Sequence, residues 1–556
     1  MTLPSKPWKL SRLPTLALLL LVAIASGCAS LPPLDGRSDS SALRDTGNTR
    51  LGRTIGPLAE AHGARPPDRA AYLEPGTPVK AGLYPLAGGR DALAARVVLA
   101  DVAERSLDMQ YYFWRSDRSG IFMFSAILRA AERGVRVRLL LDDNNTLGQD
   151  QLLSTLDRHP NIEVRLFNPF VQRSGRLRGF LTDFQRLNRR MHNKSFTVDN
   201  QATIVGGRNI GDEYFDATED RAFADLDVLA VGAIVDQVST DFDRYWKSES
   251  AFPVDRLLPP VPQDIMKGLL EDIASVAAGQ GVIDYADAVL KTSFLRDLFD
   301  GRLELEWAAT RMVSDDPAKV LGKASPTALP ERMERMIGKP RQLLEMVSPY
   351  FVPLQDGFGY LKSLAEQGVE IRVLTNSLAA TDVVAVHAGY ARWRKPLLEA
   401  GVVLHEYKPA APAPANAAGS AGSAGSFGSS SSRGSLGLGG SRGAGPSASS
   451  LHAKSFLVDR SRVVIGSFNF DPRSLDLNTE LSIVIDSPAL AIAVDEAYTR
   501  NVPLTSWQVT LGEAGELQWS GVVDGQVVRL DEEPDAGFWR RAGAAAISLL
   551  PVDCML

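Results

Sequence analysis

His192-Asn-Lys-Ser-Phe-Thr-Val-Asp-Asn-Gln-Ala-Thr-Ile-Val-Gly-Gly-Arg-Asn209 is echoed later in the chain by His452-Ala-Lys-Ser-Phe-Leu-Val-Asp-Arg-Ser-Arg-Val-Val-Ile-Gly-Ser-Phe-Asn469. The histidine, lysine, aspartate, glycine and asparagine each recur 260 residues on, so one unit has been duplicated. In the first copy Lys194, Phe196 and Val198 alternate with Asn193, Ser195 and Thr197. That period of two predicts a strand with His192 and Lys194 on the same face. Asp199-Asn-Gln201 reads as a turn and residues 202–205 as the returning strand. The second copy repeats this hairpin around Asp459-Arg-Ser461.

Two histidines in one shared site divide phosphodiester chemistry between them, one attacking phosphorus while the other protonates the departing alcohol. Imidazole suits both roles because its ordinary pKa of ~6.5 makes either form accessible. Lys194 and Lys454 supply positive charge, and Asn209 and Asn469 amide donors, for the oxygens of a pentacovalent phosphorane. Gly207 and Ser467 fall beside those asparagines, where the backbone comes close to a bound phosphate, and join the candidate phosphate-binding set. Glu480, together with Asp225 or Asp227 in the first half, is a candidate to orient the imidazole of its own or the opposite motif. At a turn, Asp199 and Asp459 read as Asx-turn formers that orient the hairpins. A single strand histidine is usually structural, but two in matching contexts point to catalysis.

Two copies of HxKx4D with a following G-[GS]-x-N resemble the phospholipase D superfamily. The similarity runs from about Leu93 to Asp486 and on to the tail ending Leu-Leu-Pro-Val-Asp. Flanking phrases are similar to the class C branch of bacterial cardiolipin synthases. They include Asp108-Met-Gln-Tyr-Tyr112-Phe-Trp, Asn209-Ile-Gly-Asp-Glu-Tyr214-Phe, Ser348-Pro-Tyr350-Phe-Val-Pro and Asp471-Pro-Arg473-Ser-Leu-Asp-Leu-Asn478-Thr-Glu480. The resemblance implies an α/β fold of two duplicated phospholipase D-like lobes, each a mixed β-sheet flanked by helices, with one active site at the lobe interface. It further implies that one histidine becomes a phosphohistidine while the other acts as acid and then base. The order usual in the family makes His192 the expected nucleophile and His452 the acid, although the sequence itself is symmetric and leaves that choice open. The family motif also places Asp199 and Asp459 in the catalytic set. The implied substrates are phospholipids at a membrane surface: phosphatidylglycerol, with phosphatidylethanolamine as an open choice of donor. No cofactor and no metal is implied, and the need for an accessory protein stays open.

With 556 residues, 45% hydrophobic and 23% charged, the chain is long enough for more than one core. A net charge of −6 argues against a general polyanion binder, so no nucleic-acid partner is expected. Lys6, Lys9 and Arg12 precede an apolar run at 16–25, which reads as a signal peptide (residues 1–27) because a span needs ~20 apolar residues. Ala25-Ser-Gly-Cys28 resembles a bacterial lipobox, so Cys28 is expected to be lipidated and the body held in the periplasm, with inner or outer membrane undecided. The one other cysteine, Cys554, then has no intrachain partner. Asp142-Asp143 is better explained as a strand end or cap than as a metal site.

The Pro-, Gly- and Ser-rich residues 28–70 read as a flexible tether. Lobe one (71–250) shows helices at 94–103 and 121–133 around strands at 107–114 and 135–141. A helical connection (251–340) leads to lobe two (341–490), which repeats the pattern with a helix at 361–367 and a strand at 369–375, and a C-terminal extension (491–556) follows. Almost pure Ala, Gly, Ser and Pro at 410–450 predicts a disordered insertion in lobe two. At the matching place in lobe one, Arg173, Arg176, Arg178, Arg186, Arg189 and Arg190 interleave with Leu177, Phe180, Leu181, Phe184 and Leu187. This stretch is either a basic amphipathic patch for anionic lipid or a solvated helical face. The leading function is phosphatidyl transfer giving cardiolipin. Hydrolysis to phosphatidic acid, a nuclease and a non-catalytic envelope protein are the alternatives.

Overall fold

A computed structural model describes residues 30–217, 223–279, 302–323, 329–409 and 450–549, with scattered positions between 285 and 297. Lobe one contributes β1 (Val79–Leu86), β2 (Ser106–Tyr111), β3 (Arg136–Asp142), β4 (Ile162–Phe167), β5 (Ser195–Val198), β6 (Ala202–Gly206), β7 (Phe223–Ala224), β8 (Asp227–Gly232) and β9 (Ala251–Pro253). In space its sheet runs β1-β8-β6-β5-β2-β3-β4-β9, with β2, β3 and β4 parallel and the other neighbours antiparallel. The parallel strands are buried on both faces, apolar residues such as Leu107, Leu139 and Val164 alternating with buried polar ones such as Asp108 and Arg138, which pair at 2.7 Å. Helices Gly89–Val102, Arg118–Glu132 and Asp150–Asp157 lead into them. The Asp117 carboxylate caps the second helix by accepting from Gly120 N at 3.0 Å.

Lobe two repeats the plan with β10 (Glu306–Ser314), β11 (Leu343–Val347), β12 (Glu370–Asn376), β13 (Val403–Tyr407), β14 (Ser450–Leu451), β15 (Ser455–Val458), β16 (Arg462–Gly466), β17 (Leu481–Asp486), β18 (Ser506–Leu511), β19 (Leu517–Val523) and β20 (Gln526–Leu530). Its spatial order is β10-β17-β16-β15-β11-β12-β13-β18-β19-β20, again with three parallel central strands. The first strands of the two lobes pair with each other, Ala81 opposite Ala308, and fuse both sheets into one. Each lobe has its own core, and a third cluster joins Leu83, Val205 and Val228 of lobe one to Leu457, Ile465 and Ile483 of lobe two. The lobes are therefore fixed by hydrogen bonds at one edge and by apolar packing between sheets.

Several segment expectations change. Residues from 30 onward in the expected tether lie against lobe one: Arg37 donates to Ser248 O at 2.7 Å, Arg44 pairs with Asp236 at 3.0 Å, and Arg50–Ala61 is a helix. Composition missed this because the anchoring is a matter of position: Leu51 and Ile55 of that helix pack on the lobe-one core beside single polar side chains such as Arg37 and Arg44. The connection contains helices Gln263–Ala277 and Leu329–Ile337 but also β10, so lobe two begins inside it. The C-terminal extension continues the lobe-two sheet through β18, which pairs with β13. The signal segment with Cys28, nearly all of the 410–450 insertion, and Cys554 lie outside the described residues.

The hairpin aspartates act differently from Asx-turn formers. Asp199 and Asn200 both have φ of 49°, and Asp459 and Arg460 have φ of 49° and 48°, so each pair forms the tight turn itself. The Asp199 carboxylate reaches another strand, accepting from the backbone N–H of Glu104, Arg105 and Ser106 at 3.0, 2.7 and 2.9 Å. Asp459 does the same for Arg341, Gln342 and Leu343 at 3.0, 2.7 and 2.9 Å. Both lie beyond the ends of β5 and β15 that are remote from the histidines. They start β2 and β11, and neither touches the histidine rings.

Asp199 is fully buried whereas Asp459 is partly exposed. Asp199→Ala orphans three backbone donors, the innermost on buried Ser106, and should lower unfolding free energy by ~2 kcal/mol or more. Asp459→Ala, which removes a carboxylate already partly in water, should cost about half as much. Chemical denaturation of the two variants checks the ranking.

Candidate active site

The two motifs meet where the lobes cross, and the chain crosses twice in the same way. Met191 bridges to Thr479, with His192 N donating to Thr479 O and Thr479 N donating to Arg190 O, each at 2.9 Å. The equivalent crossing pairs β14 with β7 in parallel, and His452 N donates to Ala224 O at 2.8 Å. Each histidine is thus fixed by backbone of the opposite lobe. The residue after each of those acceptors is acidic: Glu480 follows Thr479 and Asp225 follows Ala224.

Those two carboxylates take the imidazoles. His192 Nδ1 lies 2.9 Å from Glu480 Oε2, and His452 Nδ1 lies 2.6 Å from Asp225 Oδ2. The orienting acids therefore come from the opposite motif in both cases, and the first-half acid is Asp225. Asp227 points away into the lobe, where it accepts from Arg96 at 2.8 Å and from Arg208 N at 3.2 Å. Sequence could not separate the two acids because they lie two apart in one extended segment and share a face.

The small residues expected at the phosphate sit against the acids. A Cβ on Gly207 would stand 2.2 Å from Asp225 Oδ1, so glycine is what lets the short Asp225 side chain sit there. At the equivalent place Ser467 Oγ donates to Glu480 Oε2, and it accepts from Leu481 N at 3.0 Å. Asn209 is also engaged, with Nδ2 donating to Tyr214 Oη at 3.1 Å. Asn469 differs: among the described residues its buried Oδ1 finds no partner. The side-chain nitrogen of Asn193 and Glu480 Oε1 are likewise buried and unpaired.

Lys194 donates to the carbonyl of His192 and lies 5.6 Å above the Tyr112 ring. Lys454 donates to the carbonyl of His452 and also stands 2.8 Å from Nδ1 and 3.2 Å from Nε2 of that imidazole. The walls are aromatic: Tyr112 is edge-on to His192 at 5.2 Å, Tyr214 is edge-on to His452 at 5.0 Å, and Phe223 stacks on His452 at 5.1 Å. Tyr112 and Tyr214 sat in the family phrases without a role of their own, and no spacing rule would have found them.

Burial sets the electrostatics, since His192 and His452 are only 8% and 7% exposed. Burial, against the pull of Glu480 and reinforced by Lys194, pushes His192 down to about 4. Burial and Lys454, against Asp225, push His452 down to about 3. Burial alone would raise Asp225, yet the opposing pull of His452, Lys454 and Arg208 holds it below the usual carboxylate range. Glu480 is lowered in the same manner, burial being outweighed by His192, Lys194 and Ser467. Burial lowers Lys454 to about 8 and Lys194 well below an ordinary lysine. At neutral pH both rings are neutral, their Nδ1–H aimed at a carboxylate, which leaves Nε2 with its lone pair.

The basic stretch before His192 is largely structural. Arg173 pairs with Asp143 at 2.7 Å, Arg176 donates to Asp143 O at 2.7 Å, and Arg186 pairs with Asp183 at 2.6 Å. Arg189 donates to Lys319 O at 3.0 Å, and Arg190 to Asn168 O at 3.1 Å. Asp142 accepts from Met191 N at 2.8 Å and from Asn144 N at 2.9 Å, so it caps a strand end beside the motif.

Residues 99–246 and 333–501 match the family model described as "Cardiolipin synthase, PLD-like domain". Cardiolipin synthase C of Escherichia coli strain K12 is 47% identical over 86% of this chain and 97% of its own length. An uncharacterized protein of Helicobacter pylori strain 26695 is 31% identical over 82% of this chain and 86% of its own. The crystal structure of phosphatidylserine synthase from Haemophilus influenzae Rd KW20 shares the fold, with a TM-score of 0.52 at 12% identity over 85% of this chain and 95% of that one. Two domain matches in tandem, and a relative aligned along nearly its whole length, establish that the chain belongs to the phospholipase D-like cardiolipin synthase family.

Proposed function

We propose that this chain is a phosphatidyltransferase that makes cardiolipin from phosphatidylglycerol and a second phospholipid through a phosphohistidine. The observation that carries the reading is the reciprocal pairing of His192 with Glu480 and of His452 with Asp225. A carboxylate on Nδ1 fixes the tautomer and stabilises the imidazolium when it forms. Two such rings at one interface supply a nucleophile and an acid.

His192 is the nucleophile. Among the described residues its Nε2 has no hydrogen-bond partner, whereas the ring of His452 is already engaged by Lys454. Nε2 attacks phosphorus, the bond to the headgroup oxygen breaks, and His452 gives that oxygen its proton. The anionic diester raises both imidazole pKa values on binding, which supplies the protonated His452 that free enzyme lacks. The neutral His452 then takes a proton from a hydroxyl of phosphatidylglycerol, that oxygen attacks phosphorus, and the phosphorus–nitrogen bond breaks. Lys194 and Lys454, both buried beside the rings, supply positive charge for the oxygens that gain negative charge. Phosphatidylglycerol releases glycerol as donor, and phosphatidylethanolamine would release ethanolamine.

Among the described residues no helix is long and apolar enough to cross a membrane. The lipobox-like Ala25-Ser-Gly-Cys28 supports a lipid anchor that holds the body on the periplasmic side.

In membranes supplied with both lipids, the wild type should form cardiolipin, and His192→Ala and His452→Ala should each lose at least ~10³-fold. Phosphatidic acid without cardiolipin would instead identify a hydrolase. Asp225→Asn and Glu480→Gln should each lower kcat by ~10- to 100-fold with the protein still folded, as orienting acids do. The kcat/KM profile of free enzyme should lose activity as pH falls toward about 4, where His192 protonates, and as pH rises through about 8, where Lys454 loses its charge. An acid limb near 6.5 would show that His192 is not shielded as described.

A further inference from the structure

The parallel strands of both lobes end at the candidate site, and large exposed apolar side chains gather at those same ends. In lobe one, after β4, helix Arg176–Thr182 and the short helix Phe184–Leu187 lead directly to His192. Their inner side is anchored: Arg176 donates to Asp143 O, and Phe180 packs on Phe170 with ring centroids 5.3 Å apart. Their outer side presents Leu177, Leu181 and Phe184, exposed by 44%, 79% and 39%. Asn144, beside that anchor, donates to Tyr112 Oη at 3.3 Å, which ties the segment to the wall of His192.

Lobe two has its own exposed segment at the corresponding end, built from the C-terminal helix Phe538–Ser548. Arg540 donates to Leu378 O at 2.7 Å and Thr381 O at 2.5 Å, in the loop that follows β12, and Ile547 packs with Val352, Ala385 and Val386. The neighbouring Asp382 accepts from Tyr350 Oη at 2.9 Å, and its charge reaches Lys454. On the free side, Phe538, Trp539 and Leu549 are exposed by 66%, 84% and 86%. Single exposed apolar residues are ordinary, but two helical faces flanking one site mark a contact surface.

A bilayer fits this pair of faces. The reacting phosphorus must reach histidines that are less than one-tenth exposed, while acyl chains lose free energy wherever they meet water. The net charge of −6 offers no overall attraction to anionic lipid, so attachment has to be local. Arg178, exposed between Leu177 and Leu181, supplies a cation at headgroup depth.

Building on the proposed reaction, we infer that helices Arg176–Thr182 and Phe538–Ser548 dock the catalytic body on a phospholipid bilayer, one from each lobe, with the mouth of the site facing the lipid between them. A substrate diester then rises from the membrane to the histidines without its chains crossing water.

The test uses the full chain in vesicles of phosphatidylethanolamine with phosphatidylglycerol, compared with detergent. An N-terminal anchor would hold any variant on vesicles, so local contact is read by amide hydrogen exchange over residues 176–187 and 538–548. Both segments should be protected by vesicles, and protection of neither or of only one overturns the inference. In parallel, Leu181→Asp/Trp539→Asp should lose on the order of 100-fold in turnover of vesicle phosphatidylglycerol. The same variant should match wild type on a short-chain phosphatidylglycerol kept below its micellar concentration. Equal loss on both substrates, or no loss on vesicles, also overturns the inference. Wild type that makes no cardiolipin from either substrate refutes the proposed reaction, and the exchange measurement still decides the docking.

Discussion

Each histidine of this molecule is held by a carboxylate that belongs to the other lobe. The exchange makes neither half complete: lobe one owns His192 and Asp225, lobe two owns His452 and Glu480, and each acid faces the ring across the interface. All four groups are buried, and a buried ion without its partner costs several kcal/mol. The chemistry of the site therefore depends on the lobes being held in one arrangement. Three features secure it: the β1–β10 pairing, the shared apolar cluster, and the two backbone crossings beside the histidines. Duplication has thus been converted into mutual dependence.

A two-fold duplicate would give two equal histidines, and small departures from symmetry make them unequal. Lobe one combines Gly207 with the short Asp225, where any Cβ would collide with the carboxylate. Lobe two combines Ser467 with the longer Glu480, and the serine hydroxyl holds the acid. Lys454 leans on the ring of His452 while Lys194 turns to Tyr112. Both imidazoles are driven neutral by burial, which suits the proposed attack at rest, and the proposed acid role of His452 waits for the charge that substrate brings.

The hairpins, the duplication and the parallel alternation of strands and helices were legible because they rest on local periodicity and repeated spacing. His192, Lys194, His452 and Lys454 were legible for the same reason. What escaped was set by distance in the chain. The choice between Asp225 and Asp227 depends on which acid the other lobe approaches. The roles of Gly207 and Ser467 depend on an acid 18 residues on in one lobe and 13 in the other. Asp199 and Asp459 looked catalytic by membership of the motif, yet they cap backbone donors about a hundred residues earlier. Most of the arginines before His192 turned inward because Asp142, Asp143 and Asn168 were waiting there, a fact no composition rule contains.

In the proposed reaction the exchanged carboxylates leave His192 as nucleophile and His452 as acid. The most direct test is to quench the His452→Ala protein during reaction with phosphorus-labelled phosphatidylglycerol and to map the label by peptide mass under conditions that preserve phosphoramidates. A phosphatidyl group should appear on the peptide carrying His192 and none elsewhere. Label absent from His192 but present on a lysine or serine, or a His192→Ala protein that accumulates label on His452, would contradict it.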